Sequence, residues 1–477
     1  MSLIIVHAQK PELMQRLNFT RFTVLFLLMT SLMMVTSCTP EDDPIQTEKS
    51  LVKDYDASVP LQWHQLFLEI DRYSPGYRPP AAARLLAYTN LAAYEAAVPG
   101  MPEYNSLVYE FPGLSLPSID AGKQYNWPIC VSTVYANMFR YFYPHIRVSD
   151  AYKITALEDK FLDEYGATLA PDVLERSKQF GFEIAQAVFS YSETDTYGHE
   201  AYVNPQPSSY HPPATGPNAE KLWQPTFPDY SAALFPYWGK VRPFAMSQSD
   251  IIAQPPIPYS ENSESQFFQQ ANEIRIMVNL ASYTTHWVAE FWSDDFFEVT
   301  FEPAGRQIAI ANILVEQDDI SMDRALELYA KMGMALCDAG IAVWNSKYIY
   351  NVRRPVEYIR DVMEPGWLTI LNNPQSGEKS VTPPFPAYPS GHSGFGSSGS
   401  AIMADIFGNT HPYTDNCHQN RTEFNGTPRS YNTILEAGLE NAYSRLPLGV
   451  HFRMDCDEGV RLGYLAATRV NALPWYK

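Results

Sequence analysis

Apolar residues recur every three to four positions along most of the chain, and this spacing predicts amphipathic helices. Proline, glycine and short polar stretches separate the apolar segments. The predicted helices cover residues 61–70, 80–97, 126–143, 150–165, 172–190, 266–290, 322–344, 390–406, 433–446 and 456–470. No run of alternating apolar and polar residues stands out as a strand. The pattern therefore predicts an all-α fold built from two helical bundles.

Changes in composition divide the chain into five regions. They are an export signal at 1–37, an acidic tether at 38–58, an N-terminal helical bundle at 59–200, a crossover rich in proline and aromatic residues at 201–264, and a C-terminal catalytic bundle at 265–477. Residues 201–260 contain twelve of the chain's 38 prolines, which exclude long helices there. We expect this crossover to be ordered and to cover a functional site.

The N-terminus has the pattern of an export signal. Arg16 and Arg21 precede an apolar run at 24–35, which is too short to span a bilayer. The run ends in VTSC, which resembles the lipobox of bacterial lipoproteins and implies cleavage before Cys38 and a lipid on its sulfur. We expect an exported lipoprotein, anchored to the outer membrane or facing the periplasm or cell surface, that touches the membrane only through the lipid. The alternative is an ordinary cleaved signal.

The composition is typical of a globular protein, with 45% hydrophobic and 18% charged residues. The formal net charge of the chain is −19 at pH 7. Removal of the predicted signal, which carries a net charge of +2, would change this value to −21. Such acidity argues against nucleic acid as a partner, because the phosphate backbone repels an acidic protein.

Four cysteines remain once Cys38 is assigned to the lipid anchor. They are Cys130, Cys337, Cys417 and Cys456. In an exported chain they permit up to two disulfides in three pairings, and the sequence does not choose among them. Their spacing is not that of metal ligands, and Cys337 lies in an apolar helical run typical of a buried thiol.

The segment TPPFPAYPSGHSGFGSSG at 382–399 combines backbone constraints with a polar cluster. Its prolines forbid a helix before Ser390, so Ser390, Gly391 and His392 mark a helix start. The backbone N–H groups of Ser390 and Gly391 have no partner within that helix, and the small side chains let an oxyanion approach them. His392 can give or take a proton near neutral pH. Taken alone, the pattern also fits a Pro-Ser-Gly turn that caps an ordinary helix.

A second cluster is KYIYNVRRP at 347–355. Lys347 and Arg354 are seven residues apart, nearly two helical turns, which would place both cations on one face of a helix. Pro355 predicts the end of that helix, where the guanidinium of Arg354 can extend its donors across a pocket. The alternative is a solvated basic face.

The third cluster is SRLPLGVHFRMD at 444–455. Pro447 and Gly449 interrupt the helical pattern, so Arg445 and His451 can lie close together in space. His451 and Asp455 are four residues apart, which lets the carboxylate accept a hydrogen bond from the imidazole on one helix face. That bond would fix the tautomer and leave the other ring nitrogen as a nucleophile or ligand. The alternative is a surface pair.

Together the clusters supply fixed cations, backbone donors, a mobile proton and an oriented imidazole, which complement a tetrahedral or trigonal-bipyramidal oxyanion. In this order K-x6-RP, PSGH and SR-x5-H-x3-D resemble the signature of the superfamily that joins vanadium haloperoxidases to phosphatidic-acid-phosphatase type 2 enzymes. The segments PPFPAYPSGH, WNSKY and SRLPLGVHFRMD resemble vanadium chloroperoxidases more than membrane phosphatases. The resemblance covers roughly the C-terminal third of the chain.

The resemblance implies an enzyme with vanadate as its cofactor. The residues that would bind the vanadate oxygens are Lys347, Arg354, Ser390, Gly391 and Arg445. His451 would be the metal ligand, with Asp455 behind it, and His392 would act as acid and base. These three residues would form the catalytic set.

The resemblance also implies a halide pocket. Trp344 and Phe385 match the aromatic positions that line it in the family. An acidic residue of the segment FWSDDFF, Asp294 or Asp295, would correspond to the carboxylate that holds Arg445.

The leading hypothesis is a vanadate-dependent haloperoxidase that oxidises halide with hydrogen peroxide to hypohalous acid. The alternative is a soluble acid phosphatase of the same superfamily, because phosphate fits the same donors. In that enzyme His451 would form a phosphohistidine and His392 would protonate the leaving alcohol of a phosphate monoester. A third hypothesis is a non-catalytic oxyanion-binding lipoprotein, which has less need of both histidines and Asp455.

Overall fold

The computed structural model describes residues 50–213 and 219–477, and all of these belong to one compact unit. The predicted export signal, Cys38 and the tether as far as residue 49 lie outside the described residues. The described residues are mostly helical, which confirms the all-α prediction. Their sheet consists of two three-residue strands, a hairpin that the polarity pattern did not indicate.

Helices make up nearly all of the regular structure among the described residues. In chain order they are α1 (Ser58–Asp71), α2 (Pro79–Ala97), α3 (Trp127–Phe142), α4 (Val148–Gly166), α5 (Pro171–Glu193), α6 (Gln266–Asn279), α7 (Tyr283–Phe291), α8 (Pro303–Asp318), α9 (Met322–Tyr350), α10 (Pro355–Val362), α11 (Gly391–Phe407), α12 (Ile434–Tyr443), α13 (Arg445–Leu448) and α14 (Arg453–Asn471). The antiparallel strands β1 (Tyr413–Asp415) and β2 (Arg429–Tyr431) lie between α11 and α12.

Helix α9 joins the two halves of the chain. It packs against α2 from the first half and against α11 and α14 from the second. Its side chains from Met322 to Lys347 are buried on almost every face, as expected for a helix at the centre of a large core. The predicted bundle boundaries, 59–200 and 265–477, stay predictions, since one continuous core spans both halves.

The end of the predicted tether packs against this core. Val52 is buried, and the carbonyl oxygen of Tyr55 accepts a hydrogen bond from the N–H of Met322 at 2.8 Å. This contact ties residues 50–58 to the first turn of α9. Within the first half of the chain, α3 packs against α2, α4 and α5.

Close packing of α11 against α14 requires glycine at two positions of α14. A Cβ atom at Gly463 would lie 2.4 Å from the carbonyl oxygen of Gly394, and one at Gly459 would lie 2.5 Å from that of Ser390. Both distances are too short for any side chain, so glycine at these positions lets the two backbones touch. The helix that begins at the PSGH segment is thereby fixed against the helix that follows His451.

The crossover at 201–264 is folded along the core without long helices, as its prolines predict. The buried carboxylate of Asp338 on α9 accepts hydrogen bonds from the N–H groups of Phe244, Ala245 and Met246 at 2.7 to 2.8 Å. Earlier in the crossover, the N–H of Leu234 donates a hydrogen bond to the carbonyl oxygen of Pro384 at 2.9 Å. The crossover therefore contacts the segment that leads into PSGH.

Two predicted helices are each divided in the structure, and α8 is present where no helix was predicted. The segment 266–290 forms two helices, because Ser282 caps α7 by accepting a hydrogen bond from the N–H of Thr285. The segment 433–446 divides into α12 and α13 at Ser444. Helix α8 was not predicted; its N-cap is Glu302, whose carboxylate accepts hydrogen bonds from the N–H groups of Ala304 and Gly305.

The described residues contain four cysteines and no helix suited to span a membrane. Cys130, Cys337, Cys417 and Cys456 all carry free thiols, so none of the permitted disulfides forms among them, and Cys337 is buried as predicted. None of the helices in 50–213 and 219–477 combines the length and the apolar character that a membrane span needs.

Candidate active site

Lys347 and Arg354 reach the same region from different elements. Lys347 lies in the last turn of α9, which ends at Tyr350, and Asn351 adopts the left-handed conformation typical of a helix C-terminus. Arg354 is the N-cap of α10. The prediction that both cations share one helix face is therefore wrong, because the chain turns between them. Pro355 begins the next helix rather than ending the first.

The ammonium group of Lys347 is fully buried and donates to three backbone carbonyl oxygens. The distances from Nζ are 2.8 Å to Pro386, 3.1 Å to Ala387 and 2.5 Å to Pro389. An ammonium group has three N–H donors, so these carbonyls use all of them. Burial, with the nearby charge of Arg354, lowers the pKa of Lys347 well below its usual value. Lys347 thus holds the turn before Ser390 in place.

Ser390 is the N-cap of α11, as the proline pattern predicts, and its Oγ accepts a hydrogen bond from the N–H of Ser393 at 3.3 Å. Its own N–H donates to the carbonyl oxygen of Asp455 at 2.8 Å. The prediction that this N–H is free for an oxyanion is therefore wrong. The Oγ–H of Ser390 keeps its donor capacity. Gly391, the first residue of α11, lines the central cavity.

The two nitrogens of His451 have different partners. Nδ1–H donates to Oδ2 of Asp455 at 3.0 Å, and Nε2 accepts a hydrogen bond from Nη1 of Arg354 at 3.2 Å. The predicted His–Asp bond is present, although His451 lies before α14 and not on it. Asp455 is the third residue of α14, and Oδ2 also accepts a hydrogen bond from the N–H of Phe452. The backbone thus fixes the carboxylate that fixes the imidazole.

The imidazole of His451 is neutral around pH 7. Burial lowers its pKa well below the usual value, and the charges of Arg354, Lys347 and Arg445 act in the same direction. Burial raises the pKa of Asp455 to about 7, against the hydrogen bond from Phe452 and the nearby cations. A neutral imidazole with its proton on Nδ1 presents the Nε2 lone pair to the cavity, as a metal ligand must.

Arg354 and Arg445 are buried guanidinium groups, and each has an N–H group without a hydrogen-bond partner among the described residues. Arg354 donates through Nε to the carbonyl oxygen of Phe385 at 2.9 Å and through Nη1 to that of Val450 at 2.8 Å. Arg445 donates through Nη1 to the carbonyl oxygen of Trp292 at 2.8 Å. Burial lowers the pKa of Arg354 to about 9 and that of Arg445 to about 10, so both stay charged around pH 7.

Arg445, Gly391, His392 and His451 line one cavity of about 210 Å³. The residues that line it are Pro79, Asp229, Asp294, Asp295, Phe296, Pro303, Trp344, Leu371, Asn373, Glu378, Val381, Thr382, Pro383, Pro384, Phe385, Gly391, His392, Phe395, Arg445 and His451. Asp229 belongs to the crossover, which therefore forms part of the cavity wall. Lys347, Arg354, Ser390 and Asp455 are buried behind the lining, and Arg354 and Asp455 are joined to it by their hydrogen bonds to His451.

The predicted halide pocket forms one side of this cavity. The rings of Trp344 and Phe385 lie 5.0 Å apart between centroids, and both face the lining. The ammonium of Lys347 lies 4.9 Å from the centre of the Phe385 ring, and the guanidinium carbon of Arg354 lies 5.0 Å from it. An apolar wall backed by cations is suited to a weakly hydrated anion such as a halide.

Three buried nitrogen atoms at this site have no hydrogen-bond partner among the described residues. They are Nη2 of Arg354, Nε of Arg445 and Nε2 of His392. A buried polar group without a partner is costly, and the cost is greatest for a charged donor. An oxyanion between the guanidinium groups would satisfy both of them, so the donor set fits vanadate or phosphate. No group of three or more His, Cys, Asp or Glu residues within 50–213 and 219–477 is placed to hold a metal ion directly.

His392 lies in the first turn of α11 and, at 7%, is more exposed than Arg354, Arg445 and His451. Burial lowers its pKa well below the usual value, with Arg445 as the largest contributing charge. Its ring is therefore neutral around pH 7 and able to accept a proton. A bound anion would offset the charge of Arg445 and raise the pKa of His392 again.

The carboxylate expected to hold Arg445 does not pair with it. Asp295 forms an ion pair with Arg78 at 2.6 Å, and Oδ1 of Asp294 accepts a hydrogen bond from Nε2 of His418 at 3.1 Å. Both aspartates line the cavity, and their charges raise the pKa of Arg445 against the effect of burial. They act on Arg445 through space, while a backbone carbonyl takes its hydrogen bond.

Behind Asp294 lies a buried network that the sequence did not reveal. Arg306 on α8 donates to Oδ2 of Asp415 at 2.7 Å, and its Nη1 lies 3.9 Å from Oδ1 of Asp294. Its guanidinium carbon is 4.7 Å from the centre of the Trp292 ring. The partners come from distant segments, so local spacing carried no signal. The network supports the wall of the cavity next to Arg445.

Comparison with known proteins agrees with this geometry. A family model described as the VCPO second helical-bundle domain matches residues 327–473, the range that holds all the predicted cofactor-binding and catalytic residues. The vanadium chloroperoxidase of Curvularia inaequalis is 24% identical over 498 aligned residues, which cover 84% of this chain and 80% of that protein.

Solved structures show the same fold. A bacterial vanadium-dependent iodoperoxidase superposes with a TM-score of 0.77 and 25% sequence identity, covering 88% of this chain and 98% of that one. A holo-type bacterial vanadium-dependent chloroperoxidase superposes with a TM-score of 0.60 and 16% identity, covering 83% and 93%. Taken with the family match, these similarities show that the chain resembles vanadium haloperoxidases in sequence and fold.

Proposed function

We propose that this protein is a vanadate-dependent haloperoxidase, which uses hydrogen peroxide to oxidise halide to hypohalous acid. The observation that carries the proposal is that Arg445, His392 and His451 line one cavity, with Arg354 hydrogen-bonded to His451 behind the lining. Arg354, Arg445 and His392 each keep a buried nitrogen without a partner among the described residues. The chloroperoxidase and iodoperoxidase similarities favour this reaction over others of the superfamily. When bound, vanadate would supply the Lewis-acidic centre that activates the peroxide.

The cations would hold the vanadate oxygens. Arg354 would donate through Nη2 and Arg445 through Nε, because these are the atoms without a partner in the described structure. Ser390 would add its hydroxyl and Gly391 its backbone N–H at the start of α11, where the helix dipole favours an anion. Lys347 would contribute its charge while its donors hold the turn at 386–389.

His451 would be the protein ligand to the metal. Its Nδ1 proton is held by Asp455, so Nε2 carries the lone pair, which accepts a hydrogen bond from Arg354 in this structure. Nε2 would bind the metal once that donor of Arg354 turns to a vanadate oxygen. Asp455 makes the imidazole a better electron donor and prevents rotation of the ring. Both effects depend on the carboxylate position that the N–H of Phe452 sets.

His392 would move the proton. Hydrogen peroxide entering the cavity must lose a proton to become a good ligand, and the unpartnered Nε2 of His392 is placed to accept it. The same nitrogen would later return the proton to the departing oxygen. Halide would approach along the wall of Trp344 and Phe385.

The test is an assay of the purified protein with and without orthovanadate. With hydrogen peroxide and iodide, bromide or chloride in turn, we expect halide oxidation that requires vanadate and that inorganic phosphate inhibits competitively. In parallel, a chromogenic phosphate monoester measures the alternative reaction. Robust hydrolysis of the monoester without vanadate-dependent halide oxidation would favour the acid phosphatase and contradict the proposal.

We also propose that the protein is exported and anchored by a lipid on Cys38, a residue outside the described part of the chain. The proposal rests on the VTSC sequence after the apolar run at 24–35. A Cys38→Ser change should release the protein from the membrane fraction into the soluble fraction. An unchanged distribution of the variant would contradict the lipid anchor.

A further inference from the structure

The cavity has room for more than an oxyanion and a halide. Its volume is about 210 Å³, whereas a cavity of roughly 150 Å³ is enough to bind benzene. Arg445 and His451 lie at its buried end, at 1% and 2% exposure. The exposed residues Asp229 and Glu378 also line it, so it extends from the catalytic groups to the surface. The outer part of the cavity lies beyond the groups that would bind the oxyanion.

The middle of the cavity has an apolar wall. It is lined there by Phe296, Leu371, Val381, Pro383 and Pro384. Residues 371–381 form a loop closed by backbone hydrogen bonds, from the N–H of Val381 to Leu371 at 2.9 Å and from that of Asn373 to the carbonyl oxygen of Glu378 at 2.8 Å. This wall is therefore preformed, and preformed apolar walls favour flat organic rings.

Carboxylates also line the cavity. Asp229 comes from the crossover and Glu378 from the loop at 371–381. Asp294, which is more than nine-tenths buried, keeps its Oδ2 without a hydrogen-bond partner among the described residues. No lysine lines the cavity, as far as the described residues show, and its arginine is at the buried end. Asp229 and Glu378 thus make the outer part attractive to cations, whereas the guanidinium of Arg445 attracts anions to the catalytic end.

We propose that the outer part of the cavity binds the organic acceptor of the halogen, and that this acceptor is a small aromatic compound with an ammonium group. Its ring would lie against Phe296, Leu371 and Val381, and its ammonium group would face the carboxylates of Asp229 and Glu378. This inference rests on the proposed haloperoxidase function.

The acceptor consumes what that function produces. Hydrogen peroxide, halide and a proton give hypohalous acid and water. Hypohalous acid then transfers its halogen to a ring carbon of the acceptor, and the displaced proton combines with the released hydroxide as water. An acceptor held in the cavity would be halogenated before the hypohalous acid escapes.

Binding alone gives the first test. The protein, equilibrated with orthovanadate, is titrated calorimetrically with 2-phenylethylamine and with 3-phenylpropionate, which match in size and differ in charge. We expect the amine to bind more tightly than the carboxylate. In the double variant Asp229→Asn, Glu378→Gln the preference should fall by about threefold to tenfold, because each exposed carboxylate contributes a modest attraction.

Catalysis gives the second test. Tyramine and 3-(4-hydroxyphenyl)propionate compete for bromination by the enzyme, and the product ratio is compared with that from added hypobromous acid. Each rate is divided by the rate of iodide oxidation by the same preparation. The enzyme should favour tyramine beyond the reagent ratio, and the double variant should lose most of this excess.

A matched control is Glu175→Gln, which removes an exposed carboxylate of α5 away from the cavity lining and should keep the preference. Equal binding of the two ligands, or a product ratio equal to that of the free reagent in every protein, would overturn the inference. Failure of the haloperoxidase function would appear separately, as absent iodide oxidation, and the binding test would still decide whether the ammonium site exists.

Discussion

The imidazole of His451 is held by contacts on both ring nitrogens, and this decides what it can do. Asp455 accepts a hydrogen bond from Nδ1–H, and Arg354 donates one to Nε2, so each nitrogen has a defined role. Burial, together with the surrounding cations, keeps the pKa of the ring well below its usual value. A ligand nitrogen must be unprotonated, and this arrangement provides one over the whole neutral range.

Two replacements of Asp455 should separate the effect of its hydrogen bond to His451 on vanadate affinity from the effect of its charge. An alanine removes both, which frees the ring of His451 and leaves the N–H of Phe452 unpaired, so vanadate affinity should fall by about 10- to 100-fold. An asparagine keeps an acceptor oxygen at the Oδ2 position, so its loss should be smaller. Calorimetric titration with orthovanadate measures both variants.

The control is Asp457→Ala, an exposed aspartate two residues farther along α14 that accepts a hydrogen bond from the hydroxyl of Tyr443. It should leave vanadate affinity unchanged. If Asp455→Ala binds vanadate as tightly as the original protein, the orienting role of Asp455 is excluded. Equal losses in the alanine and asparagine variants would point to charge alone.

His392 should matter for turnover more than for vanadate binding. A His392→Gln change keeps a polar side chain of similar size but removes proton transfer. Proton transfer by a positioned side chain typically raises the reaction rate by about 100- to 10,000-fold. We expect kcat for halide oxidation to fall in this range while the dissociation constant of vanadate changes by less than about tenfold. The pH–rate profile of the variant should also lose one ionisation. A variant with nearly full kcat would refute the role.

At the scale of elements, the site depends on how the turn at 386–389 is held between α9 and α11. Lys347 binds three of its carbonyl oxygens, the N–H of Ala387 donates to Val352, and the N–H of Ser390 donates to Asp455. The start of α11 is thus fixed by contacts with three other segments. We expect the turn to lose its order before the helices do when Lys347 is removed.

A Lys347→Met change should destabilise the protein by about 1–3 kcal/mol, because it leaves buried carbonyl oxygens without donors. Amide hydrogen exchange at Ala387 and Ser390 should accelerate, while exchange within α14 should not. Lys347→Arg should fail to restore protection, since a planar guanidinium cannot reach three carbonyls arranged around a point charge.

The exposed residue Lys178 on α5 provides the control, as Lys178→Met should change neither stability nor exchange. Unchanged protection at Ala387 in the Lys347→Met variant would show that the three hydrogen bonds do not hold the turn. In that case Lys347 would act on the bound anion instead.

The sequence predicted elements best where the local chemistry was decisive. The prolines before Ser390 fixed the start of α11, and apolar periodicity predicted α9. Helix α8 was missed because Glu302, rather than a short polar side chain, caps it. Arg354 was assigned to the site for the wrong reason, since it reaches the cavity from the turn after α9 and not from that helix.

The cavity itself could not be predicted in the same way. Its outer wall combines Asp229, Phe296 and the loop at 371–381, segments that have no shared pattern in the sequence. The three motifs indicated which residues would meet at the catalytic end, because their chemistry required a common ligand. Nothing comparable connects residues that meet only through tertiary packing.

At the scale of the whole molecule, the fold buries many ionisable groups far from the site, and these should govern how stability varies with pH. Burial raises the pKa of Glu95 on α2 to about 7, although Ser106 and the N–H of Leu107 donate to its carboxylate. An unfolded glutamate has a pKa of about 4.3. Between these values the folded state keeps the proton that the unfolded state has released.

This difference in pKa decides whether stability rises or falls with pH. Since the folded state binds more protons, stability falls as the pH rises from about 4 to 7, and the effect is complete above the folded pKa. A Glu95→Gln change removes the ionisation. Relative to the original protein, the variant should therefore gain about 2 kcal/mol of unfolding free energy between pH 5 and pH 8, measured by urea denaturation. Glu110→Gln, which neutralises an exposed carboxylate in the same loop region, should show no such change. A pH-independent difference between the Glu95 variant and the original protein would mean that Glu95 is ionised when folded.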